Sequence, residues 1–179
     1  MDNCQPGEGF AGGSVLPIMT TPDRTTSLRA ALAAPGPVGH RAGDALRGLV
    51  RAAREHLGMD VSFISEFTGG DRVFRVVDSA GRSPVAVGGS DPLEATYCQR
   101  VVDGRLPELI HDPMALPAAV ELPVTAALPV GAHMSVPLRL SDGRVYGTFC
   151  CFRYDPDETL TERDLAVLRV FADVASSYL

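Results

Sequence analysis

The 179-residue chain has no lysine: all 16 basic residues are arginine. That bias reflects a composition heavy in Ala, Arg and Gly and carries no mechanism. Set against 22 acidic residues it leaves a formal net charge of −6, which argues against a protein built to grip nucleic-acid phosphates. No run approaches the ~18 apolar residues that a membrane helix requires. The opening MDNCQPGEGF has neither a basic n-region nor an apolar h-region, so a soluble cytoplasmic protein is the expectation. CxxC spacing is missing. Cys4, Cys98, Cys150 and Cys151 have no ligand spacing with His40, His56, His111 or His133, so no structural zinc site is expected. In a reducing compartment these thiols should be free. A Ser-His-Asp set, a phosphate loop, a paired-carboxylate signature and internal repeats are also missing.

What remains is enough for one domain with a real core: 45% of residues are hydrophobic. Residues 1–40, rich in Gly, Pro, Ser, Thr and Ala, read as a poorly ordered tail, leaving residues 41–179 as the domain. From Asp44, Leu46, Leu49, Val50, Ala53 and Leu57 recur at helical spacing, and Gly58 stops the helix. Strands follow at Met59–Phe67 and Arg72–Asp78 around Gly69-Gly70, with a short third one at Val85–Val87. Asp91-Pro92-Leu93-Glu94 has the marks of a capped helix start, giving a helix that carries Tyr97, Cys98, Val101 and Val102 to Gly104. A brief strand is expected at Leu106–His111. Four prolines between Asp112 and Gly131 permit only short helical turns. The last helix, capped around Thr161, presents two apolar stripes: Leu165, Leu168, Ala172, Ala175, Leu179 and Val167, Val170, Phe171, Val174, Tyr178. The chain stops on Tyr178-Leu179 with no C-cap glycine, so this helix is expected to continue into a further region.

The most informative stretch is GAHMSVPLRLSDGRVYGTFCCFRY, from Gly131 to Tyr154. Asp142-Gly143 is a two-residue hairpin signal. It predicts the pairs Ser141–Arg144, Arg139–Tyr146, Pro137–Thr148, Ser135–Cys150 and His133–Phe152, all on one face. The opposite face is apolar: Ala132, Met134, Val136, Leu138 and Leu140 against Val145, Gly147, Phe149 and Cys151. A longer loop would slip the pairing by one and exchange the faces.

This order of elements, with the segments LPELIHDP, HMSVPLRL and DGRVYGTFCCF, resembles the GAF domain. The resemblance implies an α+β, PAS/profilin-like fold: a central antiparallel sheet, the N- and C-terminal helices on one face, and a small-molecule pocket on the other. Asp91–Gly104 and Pro113–Pro129 would roof that pocket. It further implies a regulatory, non-catalytic module, forming homodimers through its terminal helices and joined to a downstream effector such as a cyclic-di-GMP cyclase or phosphodiesterase. The NKFDE motif of cyclic-nucleotide-binding members is missing, as is the Cys-His pair of bilin-binding ones, so no cofactor is assigned. The GVCG context of free methionine sulfoxide reductases is also missing, so no catalytic cysteine follows from homology.

On this reading Tyr97, Cys98, His133, Ser135, Thr148, Cys150 and Phe152 line the pocket. His133 would offer a polar contact, Ser135 and Thr148 hydroxyls, and Tyr97 and Phe152 stacking surface. Arg100 and His133 are the cations expected near Cys98. Cys98 and Cys150 are either structural thiols or, if both face the cavity, a pair that can approach disulfide distance. Two other functions stay open: a thiol enzyme of the sulfoxide-reductase kind, and a dimerisation scaffold whose pocket is filled by its own side chains.

Overall fold

The computed structural model describes residues 37–179, with side chains from Arg41 onward. Most of the expected tail therefore lies outside the described residues. Helix α1 runs Pro37–His56, seven residues longer at its start than the apolar repeat alone indicates. Leu46, Val50 and Ala53 are fully buried on its inner face, and Gly58 ends it at φ 63°.

Six antiparallel strands form one sheet in the order β3-β2-β1-β6-β5-β4: β1 Val61–Thr68, β2 Asp71–Ser79, β3 Ser90–Pro92, β4 Leu109–Ile110, β5 Ala132–Arg139 and β6 Val145–Arg153. Both edges are very short strands, which limits the exposed ladder open to pairing with another chain. Helix α5, Glu162–Ser176, closes the chain. It packs with α1 against Met134, Val136, Leu138, Phe149 and Cys151, the side of the hairpin that the sequence marks as apolar. Leu165, Leu168, Ala172 and Ala175 are buried there, while Val167 and Phe171 from the second stripe are partly buried. Val170, Val174 and Tyr178 stay outside, at 63%, 42% and 40% exposure.

The hairpin keeps the predicted register through its middle, with Pro137 opposite Thr148, Ser135 opposite Cys150 and His133 opposite Phe152. Its tip differs. Leu140 pairs with Arg144 through a 2.9 Å backbone bond, and the loop is the three residues Ser141-Asp142-Gly143, with Gly143 at φ 84°. Such a loop shifts the register by one. The shift is undone at a bulge between Leu138 and Arg139, where Tyr146 is the extra residue on β6. The expected pairs Arg139–Tyr146 and Ser141–Arg144 are therefore not made. Tyr146 turns into the helix-side core instead of the face first expected, whereas Val145 is only half-buried.

The start of α5 matches its capping signal. Asp164 accepts from the Thr161 backbone N–H at 2.8 Å and from its hydroxyl at 2.6 Å. Those bonds hold the Asp164 carboxyl below its ordinary range. A depressed carboxyl pKa stabilises the fold above the unfolded value of about 3.9 and stops doing so as pH falls through the folded value. Asp164→Ala should therefore cost about 1 kcal/mol at neutral pH, and acid urea titrations should show the difference from wild type vanishing.

Candidate functional site

The face of the sheet opposite the two terminal helices is covered by a roof. It consists of a 3₁₀ turn Leu93–Ala95, α2 (Tyr97–Val102), a second 3₁₀ turn Pro113–Ala115, α3 (Pro117–Val120) and α4 (Pro123–Ala127). The prolines cut this segment into single turns, as their spacing predicts. Each of α3 and α4 opens on proline, where the missing N–H is one a helix start leaves unpaired anyway.

Three expectations fail here, wholly or in part. Val85–Val87 is not a strand: Val85 sits in the buried cluster under the roof, Val87 is 64% exposed, and the edge strand forms at Ser90–Pro92. Nor does Asp91 cap a helix. It lies directly across the ladder from Arg72, and its carboxylate is held by that guanidinium. The cap passes to the fully buried Thr96, whose hydroxyl accepts from Gln99 N–H at 3.3 Å. Helix α2 is consequently shorter than the span from Asp91 to Gly104, and Cys98 is its second residue. The strand expected over Leu106–His111 is confined to Leu109–Ile110.

The seven residues singled out from the sequence all lie on this side, and each is 2% exposed or less. Cys150 is their hub. Its Sγ lies 3.5 Å from Cys98 Sγ and 3.0 Å from Ser135 Oγ, and its thiol donates to Thr148 Oγ1 at 3.2 Å. Thr148 is tied in turn to Ser65 Oγ at 2.9 Å. Tyr97 stacks on His133 with ring centroids 5.2 Å apart, and its hydroxyl meets Thr125 Oγ1 at 2.5 Å. Phe152 packs edge-on to Phe63 at 6.5 Å. The site is thus a closed cluster of small polar groups inside two apolar ones.

Arg72 was not among the expected residues, yet it is central. Its side chain is 4% exposed and donates to Cys98 Sγ at 3.4 Å. The guanidinium carbon stands 4.5 Å from the Phe74 ring centroid and 5.7 Å from that of Phe63, within cation–π range. Arg72 falls in strand phase with Phe74, and a bulge in which Arg75 is the extra residue sends both beneath the roof while Val76 joins the helix-side core. That phase relation was the available signal. Arg100, the cation expected instead, pairs with Glu94 at 3.5 Å.

These charges divide the two thiols. Burial pushes Cys98 up, but the hydrogen-bonding contact with Cys150, the Arg72 charge and His133 together outweigh it and hold Cys98 well below the ordinary thiol range. Burial raises Cys150 strongly, and the neighbouring Cys98 adds to that, so Cys150 stays protonated. Cys151 faces the terminal helices and is core, as expected, with burial pushing it to about 12. Two nitrogens at the site have no partner: Arg72 Nε and His133 Nδ1, both buried. Among the described residues, no three His, Cys, Asp or Glu side chains stand close enough to hold a metal ion. Nor is any helix there long and apolar enough to cross a membrane.

A sheet with its terminal helices on one face and a broken-helix roof over buried polar groups on the other defines a class of small α+β modules. The family model described as "GAF domain" matches residues 40–179, and the chain belongs to that family. No curated protein sequence matches the chain. Among solved structures it resembles the GAF domain of PixJ from Thermosynechococcus elongatus in its blue-light absorbing form, with TM-score 0.64, 18% identity, 78% of this chain and 85% of that one covered. It also resembles a type II free methionine-R-sulfoxide reductase from Thermoplasma acidophilum, with TM-score 0.62, 14% identity and coverage of 79% and 94%. A third is the second GAF domain of DevS from Mycobacterium smegmatis, with TM-score 0.56, 18% identity and coverage of 76% and 91%. At these identities the likeness concerns the fold.

Proposed function

We propose that this chain is a regulatory, non-catalytic GAF module of a cytoplasmic signalling protein. It senses a small polar molecule beneath its roof and passes the change through α1 and α5 to a second copy and to a covalently linked effector. The observation that carries this reading is the pair of unpartnered nitrogens, Arg72 Nε and His133 Nδ1. A buried polar group left without a hydrogen bond costs about 1–3 kcal/mol, so a small anion or hydrogen-bond acceptor reaching both would remove a standing penalty. Ligand would then favour one packing of the helices on the sheet over another. Val170 and Val174 on the exposed side of α5, with Tyr178 just past its end, recur every four residues and supply the apolar stripe for the second copy.

Native mass spectrometry of freshly purified protein tests the ligand. A bound small molecule lost on denaturation is expected; a bare chain that acetate, succinate and phosphate all fail to stabilise in thermal melts would overturn the reading. For the dimer, light scattering should show Val170→Glu/Val174→Glu shifting the protein to monomer, and a wild type already monomeric at high concentration would remove it. The closeness of Cys98 and Cys150 also favours a second reading, a thiol enzyme acting on methionine sulfoxide. Turnover by wild type that is lost in Cys98→Ser would establish it over the first.

A further inference from the structure

We propose that Cys98 and Cys150 form a peroxide-responsive dithiol, in which Cys98 is the attacking sulfur, Cys150 the resolving one, and Arg72 the group that activates the first. The regulatory meaning of this step rests on the sensory reading above; its chemistry does not. The argument starts from placement. Cys150 lies on β6, hydrogen-bonded to β1 on one side and β5 on the other, and Cys98 lies on the roof helix α2. Their sulfurs are 3.5 Å apart, and a disulfide needs about 2.05 Å. The remaining gap of about 1.5 Å is what rotation of the two side chains has to close.

The surroundings of the two sulfurs are unequal in the way such a reaction requires. Arg72 donates to Cys98 Sγ at 3.4 Å, so negative charge there is stabilised inside an otherwise apolar cluster. Cys150 Sγ instead touches neutral hydroxyls, Ser135 at 3.0 Å and Thr148 at 3.2 Å. These can hold its proton and later accept a rotated sulfur without leaving a charge unpaired. The thiolate is the nucleophile in such chemistry, and a nearby cation raises its population.

The step balances with a hydroperoxide as oxidant. The Cys98 thiolate attacks one oxygen of hydrogen peroxide, the O–O bond breaks, and the departing hydroxide takes a proton to leave as water. Cys98 is now a sulfenic acid. The Cys150 sulfur attacks it, the S–S bond forms, and the sulfenic oxygen leaves as a second water with the Cys150 proton. The two sulfurs lose two electrons and the peroxide gains them. Both thiols are fully buried, so the rate is gated by opening of the roof, whose single-turn helices are its least cooperative part. Once formed, the bond ties the roof to the middle of the sheet. On the other face of β6, Phe149 and Cys151 pack against the terminal helices, so a shift at Cys150 has a short route to them.

The test uses the full chain with Cys4→Ser, leaving Cys98, Cys150 and Cys151. Treatment with equimolar hydrogen peroxide should remove two hydrogens from the intact mass, and non-reducing peptide mapping should join the Cys98 and Cys150 peptides. Cys151→Ser should behave like the parent; Cys98→Ser and Cys150→Ser should not form the link. Arg72→Met should slow the reaction about tenfold or more. The charged and titratable groups facing Cys98 are Arg72 from β2, with Asp91 of β3 behind it, His133 from β5 and Cys150 from β6. With negative charge at Cys98 stabilised by Arg72, the rate should fall less steeply between about pH 8 and about pH 6 than the roughly tenfold per unit of an ordinary thiol. Unchanged thiols, a Cys150–Cys151 or intermolecular link, or a Cys98 that over-oxidises without pairing would each overturn the proposal. Any of these alongside a retained small-molecule ligand would leave the sensory reading standing. A clean intramolecular link in a protein that binds no ligand and never dimerises would do the reverse.

Discussion

Gly147→Ala is expected to leave the domain unfolded. Gly147 sits on β6 between Glu66 of β1 and Leu138 of β5, next to the bulge at Tyr146. A Cβ added there would lie 1.9 Å from Ser65 O, 2.7 Å from Ser65 C and 2.9 Å from Glu66 Cα. All three are backbone atoms of the neighbouring strand, so no side chain can swing aside. Relief requires parting the two central strands and losing the ladder bonds between them, with Phe149 and Cys151 drawn out of register on one face and Cys150 on the other. That exceeds the 4–5 kcal/mol at which single substitutions become exceptional, and it rivals the whole stability of a domain, about 5–15 kcal/mol. Gly143→Ala is the informative contrast. Nothing stands within 4 Å of its Cβ position, but its φ of 84° is disfavoured for alanine, so a loss of about 1 kcal/mol is expected. Circular dichroism and urea melts of the two variants check this. A folded Gly147→Ala with an ordinary melt would mean that β1 and β6 do not approach as described.

How much of this was legible depends on the kind of signal. The two faces of the β5–β6 hairpin could be read because side chains alternate and a buried face tolerates no slip. The tip could not: the three-residue loop and the bulge at Tyr146 are each shifts of one, and only their sum is constrained by the pattern. The proline-broken roof was readable because proline acts locally. Asp91 misled for a tertiary reason. Asp-Pro-Leu-Glu carries every local mark of a helix start, yet a cross-strand arginine outcompetes the cap for the carboxylate. Arg72 itself escaped notice because an arginine beside a Gly-Gly turn ordinarily points to solvent, and only its phase with Phe74 shows otherwise. The candidate residues were brought together by the same alternation that defined the faces. The charge that gives Cys98, on the roof helix, its character comes from β2, two strands away from the β6 that carries Cys150 and beyond any local pattern.

That charge leads to the second large effect, an asymmetry between the partners of one ion pair. Arg72 is 4% exposed and Asp91 43%. Removing the acid leaves a buried guanidinium among Phe63, Phe74 and Val85 with only the Cys98 sulfur to answer its charge; removing the arginine returns a carboxylate to water and lets the Cys98 thiol take back its proton. Asp91→Ala should therefore cost about 2–3 kcal/mol, at or just under the lower edge for a buried charge left without its partner. Arg72→Met, which keeps an unbranched chain against the two rings, should cost less than about 1 kcal/mol. In the double variant nothing is left to strand, so its stability should match Arg72→Met alone, giving a coupling of about 2–3 kcal/mol in a urea double-mutant cycle. Additive losses would show that the pair is a bystander. The same arginine variant then separates folding from chemistry. It retains the sheet and the roof but takes the cation from Cys98, leaving burial, which pushes that thiol up, opposed only by Cys150 and His133. A protein that melts like wild type yet loses its reactive cysteine is what Arg72→Met should be, and labelling by iodoacetamide near neutral pH, expected to slow about tenfold, reads that loss directly.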